Sequence, residues 1–104
     1  MDEDLRTKKK SWKKIFNRRI TATGKIFHKS CFLLSLSITA NGTGQASAVL
    51  RDGHQATSLA VIDLAAPVSS MNSREFATPV FFDNALYVEI GSNVAGVFLQ
   101  FMSA

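Results

Sequence analysis

Between Cys31 and Ala40 the side chains alternate with a period of two: Phe32, Leu34, Leu36, Ile38 and Ala40 fall on one face, and Ser35, Ser37 and Thr39 on the other. Successive side chains of a strand point to opposite faces, whereas an amphipathic helix repeats every 3.6 residues, so this segment buries one apolar face only as a β-strand. One strand cannot bury anything alone, and the rest of the chain supplies partners. Asn41-Gly42-Thr43-Gly44 reads as a turn, after which Ala46, Ala48 and Leu50 alternate with Ser47, Val49 and Arg51 up to Asp52-Gly53, a second turn signal. Another run spans 58–64 and ends at Ala66-Pro67, and the Ser/Asn-rich stretch 69–73 reads as loop. Phe76 to Phe82 is extended, with Pro79 marking an edge position or a strand end because it cannot donate to a ladder. Leu86, Val88 and Ile90 alternate with Tyr87 and Glu89; past Gly91-Ser92-Asn93, Val97, Leu99 and Phe101 alternate with Phe98 and Gln100.

With an opening strand near 20–28, the pattern predicts an all-β fold, an antiparallel β-sandwich of about seven strands, jelly-roll-like. Its expected core is Phe32, Leu34, Leu36, Ile38, Leu50, Ile62, Leu64, Leu86, Val88, Ile90, Leu99 and Phe101. The 104 residues amount to one domain, which at this size buries roughly two-thirds of the surface of its unfolded chain. Cys31 is the single cysteine, so no internal disulfide holds the fold and stability comes from packing.

Charge divides the chain. Residues 1–19 carry eight basic side chains (Arg6, Lys8, Lys9, Lys10, Lys13, Lys14, Arg18, Arg19) against Asp2, Glu3 and Asp4, a balance of +5. Residues 20–104 carry four (Lys25, Lys29, Arg51, Arg74) against five acids, a balance of −1. The chain thus reads as a basic arm, 1–19, on a near-neutral β-domain, 20–104, and such an arm meets something anionic or an acidic patch on a partner. Within the arm, Leu5, Trp12, Ile15 and Phe16 approximate one helical stripe opposite the lysines, which predicts an amphipathic helix over roughly 3–18. A helix of that length is marginal in water and needs a partner for its stripe. Leu5, Lys8, Lys9, Lys10, Trp12, Lys13, Lys14, Ile15, Phe16, Arg18 and Arg19 are therefore the candidate partner-binding residues.

Residues 30–50 lack charge, but the basic region before them is long and contains acids, and serines and threonine interrupt the apolar run, which disfavours a signal peptide. Asn41 to Gln45 breaks the same window as a membrane span. The expectation is a protein that works inside a cell or in an assembly built there, with a membrane partner disfavoured.

Candidate catalytic chemistry is sparse. His28 and His54 stand in no metal-ligand spacing with Cys31 or a carboxylate, and Cys31 opens an apolar strand, where a small buried hydrophobe explains it better than a nucleophile. Asp52, Asp63, Asp83 and Glu89 are not paired for acid–base work, and the glycines punctuate turns without forming a phosphate cradle. No catalytic residue, cofactor or metal is expected. Apolar residues occupy both faces of two segments, Phe81 with Phe82 and Phe98 with Met102 beside Val97, Leu99 and Phe101, which predicts cover by a second subunit in a cyclic homo-oligomer.

The succession of a Thr-containing opening strand, Cys31 to Ala40, a Gly-rich turn, Ala48-Val-Leu-Arg-Asp-Gly53, a Leu/Val run, Phe76-Ala-Thr-Pro-Val-Phe-Phe82, Leu86-Tyr-Val-Glu-Ile90 and a last apolar strand resembles the small β-sandwich virion proteins of tailed bacteriophages. The resemblance covers about 20–102, with one departure, Ala85 where such sequences tend to have glycine before Leu-Tyr-Val. It implies a non-enzymatic structural protein of the head surface or head-to-tail region, assembled in the host cytoplasm; the basic arm lies outside the resemblance, and its expected role is to anchor the domain to other virion proteins or to packaged DNA. A nucleic-acid-binding module using the arm is the alternative, and an interfacial helix on a membrane ranks below it.

Overall fold

A computed structural model describes residues 14–104 of the protein, and among them the periodic segments form strands and no helix. The strands are β1 (Ile15–Ile20), β2 (Gly24–Phe27), β3 (Cys31–Ala40), β4 (Ala46–Asp52), β5 (Leu59–Ala66), β6 (Met71–Phe82), β7 (Leu86–Ile90) and β8 (Val94–Ser103). They make two antiparallel sheets of four, a first ordered β1-β8-β3-β6 and a second ordered β2-β7-β4-β5. The pairing is nested: β4 with β5, β3 with β6, β2 with β7 and β1 with β8. Two further ladders, β3 with β8 and β4 with β7, complete the sheets.

Both inner faces feed one core. Leu33, Leu36, Ile38, Phe82, Val97, Leu99 and Phe101 from the first sheet meet Leu50, Leu64, Leu86 and Val88 from the second, and no polar or charged residue is buried among the described residues. Fully burying a side chain of this size contributes about 1.5–3 kcal/mol, which is how so small a domain holds together without a cross-link. Ile62 and Ile90, expected in the core, pack against it half-buried.

The expected face of β3 is correct for only half its length. Leu33 pairs with Phe101 of β8, but Ser35 pairs with Gln100, so Leu34 is one residue too many on its strand. An extra residue in a ladder is a β-bulge, and because the side-chain period is two it exchanges the faces. Cys31 and Leu33 point inward before the bulge, and Leu36, Ile38 and Ala40 after it. Phe32 and Leu34, expected in the core, are half-exposed. The disturbance crosses to β6, where Val80 pairs with Leu33 and Glu75 with Ser35, leaving Phe76–Pro79 outside the ladder. Pro79 thus interrupts an edge strand, where its missing donor costs nothing.

The other correction is at the start. Of the expected helix over 3–18, residues 1–13 lie outside the described residues, and 15–18 belong to β1, which also makes the strand count eight and places Ile15–Arg19 in a sheet although the charge pattern groups them with the arm. β1 pairs with β8 from Ile15 opposite Met102 to Ile20 opposite Val97. A helix would leave that edge of β8 unpaired and draw Phe16 away from Phe101; tertiary pairing overrides the weak preference of a short isolated helix.

Candidate interaction faces

Of the arm residues that the structure describes, Lys14 directly precedes an edge strand, and Ile15–Arg19 lie on it and divide by face. Phe16 turns inward between the sheets, its ring 5.3 Å from those of both Phe27 and Phe101. Lys14 and Arg18, two residues to either side, lie over the same ring at 5.2 and 5.3 Å, so they close the open seam of the sandwich with charge. Ile15, Asn17 and Arg19 take the other face, and the Arg19 guanidinium donates to the Ala95 carbonyl at 3.3 Å, lying across Gly96. A side chain at Gly96 would crowd that guanidinium. Three exposed cations on one edge also discourage strand addition by another chain. Leu5, Lys8, Lys9, Lys10, Trp12 and Lys13 lie outside the described residues.

The outer face of the first sheet carries four of the exposed large apolar side chains, Ile15, Met71, Phe81 and Phe98. Read across its strands, Ile15 pairs with Met102, Met102 with Phe32, and Phe32 with Phe81, an unbroken apolar row over all four strands. Ile15 is 46% and Phe81 47% exposed, and the Phe32 and Phe81 rings pack at 5.1 Å. The next row is polar: Asn17, Gln100, Ser35 and Glu75, with Ser35 donating to Gln100 at 3.4 Å. The third is Arg19, Phe98, Ser37 and Ser73, in which Phe98 stands 42% exposed. Beside it Ser35, Ser37, Met71, Ser73, Arg74 and Glu75 border an open groove of about 220 Å³. Phe81, Phe98 and Met102 therefore lie on the expected outward surface, whereas Phe82, expected beside them, is fully buried because it faces the second sheet. Phe32 and Ile15 join this surface; the bulge hid the first and the helical reading the second.

The second sheet's outer face is built differently. Arg51 donates from Nε and Nη2 to Glu89 Oε1 at 3.0 and 2.7 Å and from Nη1 to the Ser58 carbonyl at 2.9 Å, tying β4, β7 and the β4–β5 loop together. Half-exposed pairs of this kind contribute about 0–1 kcal/mol.

Asp52, the acid of the Arg-Asp-Gly turn, has a structural task. Its carboxylate accepts the backbone N–H groups of Asp83 at 3.0 Å, Asn84 at 2.8 Å and Ala85 at 3.5 Å, and Gly53 N–H donates to the Ala85 carbonyl at 3.1 Å. Desolvation pushes the carboxyl upward, but the N–H donors of Asn84, Asp83 and Ala85 outweigh it and hold the group below its ordinary value. Ala85 has no positive φ and is buried, so the β6–β7 turn does not need glycine there. Burial, and then the charge of Asp52, push the Cys31 thiol up to about 11, which keeps it protonated and unreactive. His54 Nδ1 lies 3.3 Å from Lys25 Nζ, and among the described residues no group of three or more His, Cys, Asp or Glu side chains is placed to hold a metal ion. No family model and no curated protein matches the chain.

Proposed function

We propose that the chain is a non-enzymatic structural protein of a tailed-bacteriophage virion, a capsid decoration protein or a component of the head/tail vertex, that self-associates through its β-domain and anchors through its basic N-terminal segment. The observation that carries this reading is the nested strand order, 1·8, 2·7, 3·6 and 4·5 in two sheets, which is that of the eight-stranded jelly roll of two Greek keys, an architecture used repeatedly by capsid proteins. Fold analogy alone does not assign a function, and the surface supports the analogy. A sandwich of this size gains nothing by exposing Phe81, Phe98 and the Ile15-to-Phe81 row unless another surface covers them. The cations grouped in residues 6–19 suit an anionic partner, either an acidic face of a neighbouring virion protein or packaged DNA. Gradient-purified particles of the phage encoding the chain should contain it at a fixed copy number by quantitative mass spectrometry. Its presence in the infected-cell lysate but absence from the particles would refute the reading.

A further inference from the structure

We infer that the outer face of the β1-β8-β3-β6 sheet is the surface on which two copies of this chain meet, related by a twofold axis that runs parallel to the strands. This deepens the self-association part of the proposed function and rests on it. A closed pair needs a surface that is complementary to itself, and there are two simple ways to lay this sheet face to face on a copy. An axis across the strands would set each row on the row at the opposite end, placing the apolar Ile15–Met102–Phe32–Phe81 row against the end that carries Gly96, Thr39 and Met71, where only Phe81 meets a large apolar side chain, Met71. An axis along the strands keeps every row on its own counterpart and exchanges the edges. Ile15 of one copy then covers Phe81 of the other, and Met102 covers Phe32, so the apolar row buries itself entirely. Asn17 comes over Glu75, Gln100 over Ser35 and Phe98 over Ser37, polar groups on polar groups with one aromatic ring over a hydroxyl beside the open groove.

Charge follows the same symmetry. Arg19 lies on β1 and Glu75 on β6, at the two edges of the sheet and about 14 Å apart in the width of four strands, too far to pair within one copy. Exchange of edges brings Arg19 over Ser73, one outward position from Glu75, so that its guanidinium, by leaving the Ala95 carbonyl, reaches the Glu75 of the other copy, and it does so twice, once on each side of the axis. The size is adequate as well. Four strands at a spacing of about 4.8 Å, with β8 ten residues long, give a flat footprint of roughly 600 Å² per copy, whose accessible area approaches the ~800 Å² per partner of a standard interface. The second sheet carries the Arg51–Glu89 pair on its two inner strands, and its exposed large apolar side chains, Leu59 and Val61, lie on the edge strand β5 alone, with no apolar row across the sheet.

The test is sedimentation equilibrium of the full chain and its variants. Phe98→Glu, at an exposed position where folding is not at stake, should raise the dimer dissociation constant by more than about tenfold. Val61→Glu, equally exposed on the second sheet's edge strand β5, should leave it unchanged. Arg19→Glu and Glu75→Arg should each weaken the pair, and the two together in one chain should restore it, because the exchanged charges meet only between copies. A monomer at 100 µM would overturn both this assignment and self-association. An oligomer that ignores Phe98→Glu, or charge variants without rescue, would overturn the assignment and leave self-association through another face.

Discussion

Leu33 and Leu34 are the same side chain on neighbouring residues of one strand, and the bulge makes them unequal. Leu33 is fully buried opposite Phe101 and Val80, whereas Leu34 is half-exposed at the point where the ladder slips. Leu33→Ala removes the transfer free energy of the lost atoms and leaves a cavity between two sheets that can collapse only partly, which costs about 2–5 kcal/mol. Leu34→Ala loses a fraction of that area and leaves no enclosed cavity, so about 1 kcal/mol is expected from its partial burial. For a domain near 100 residues each kcal/mol moves Tm by about 4–8 °C, so the two variants should separate by at least about 4 °C. Leu36→Ala is the internal standard, since Leu36 faces inward both by simple alternation and in the structure. Urea melts with unchanged m-values, followed by fluorescence and circular dichroism, give the comparison. If Leu34→Ala costs more than Leu33→Ala, the bulge is misplaced and the uninterrupted alternation of 32–40 is the true face.

Phe16→Ala should cost about 2–3 kcal/mol, because it opens the seam against Phe27 and Phe101, and hydrogen exchange of the β1 amides should rise more than that of β3. Asp52 has a folded-state pKa below its unfolded value of about 3.9, so its stabilisation is present above that pH and is lost as pH falls through the lower folded value. Asp52→Asn should therefore be less stable than the parent at pH 6, the two converging as pH falls below the ordinary carboxylate range in thermal melts; parallel melts at every pH would exclude the role. Cys31 is raised to about 11 against about 8.5 unfolded, so its contribution is complete below pH 8.5 and is lost as pH climbs toward 11. A thiol reagent at pH 8 should leave it unmodified in folded protein and titrate it fully in urea. For the arm, docking on a protein partner predicts that Trp12→Ala abolishes attachment with little salt dependence, whereas a polycation on DNA predicts indifference to Trp12→Ala, loss on reversing Lys8, Lys9 and Lys10, and a log–log salt slope near −0.9 per phosphate neutralised.

The strands most legible in the sequence are those whose registers run without interruption on one side of the core. Leu86 and Val88 face inward as their alternation states, and Val97, Leu99 and Phe101 do the same, because a regular ladder leaves the period of two intact. The β3 bulge was invisible because it adds a leucine to a run of leucines, and no glycine marks it. β1 was misread for a different reason. Ile15 and Phe16 are adjacent and apolar, which fits a helical stripe as well as the two faces of a strand, and only the presence of β8 beside them decides the matter. The outward surface was half legible for the same reason: Phe81 and Phe98 announced themselves by doubling an apolar face, while Phe32 and Ile15 needed the register. Asp52 looked like part of a turn signal, and its three backbone donors come from a loop some thirty residues on that no local pattern connects to it.

Nesting the strands in pairs gives the protein an order in time. Asp52 and Leu59, at the innermost pair, are seven residues apart in the chain, whereas Ile15 and Met102, at the outermost, are eighty-seven apart. Loop-closure entropy favours the inner hairpin first and each enclosing pair in turn, so the chain zips from its middle outward and folds slowly for its size. On the ribosome β1 emerges early and waits, since the strand that receives it is made last. Once β8 is made, its edge stands open until a β1 pairs with it, and a β1 waiting on a neighbouring nascent chain fits it as well as the chain's own, which makes crowded synthesis the condition under which this fold exchanges its first strand.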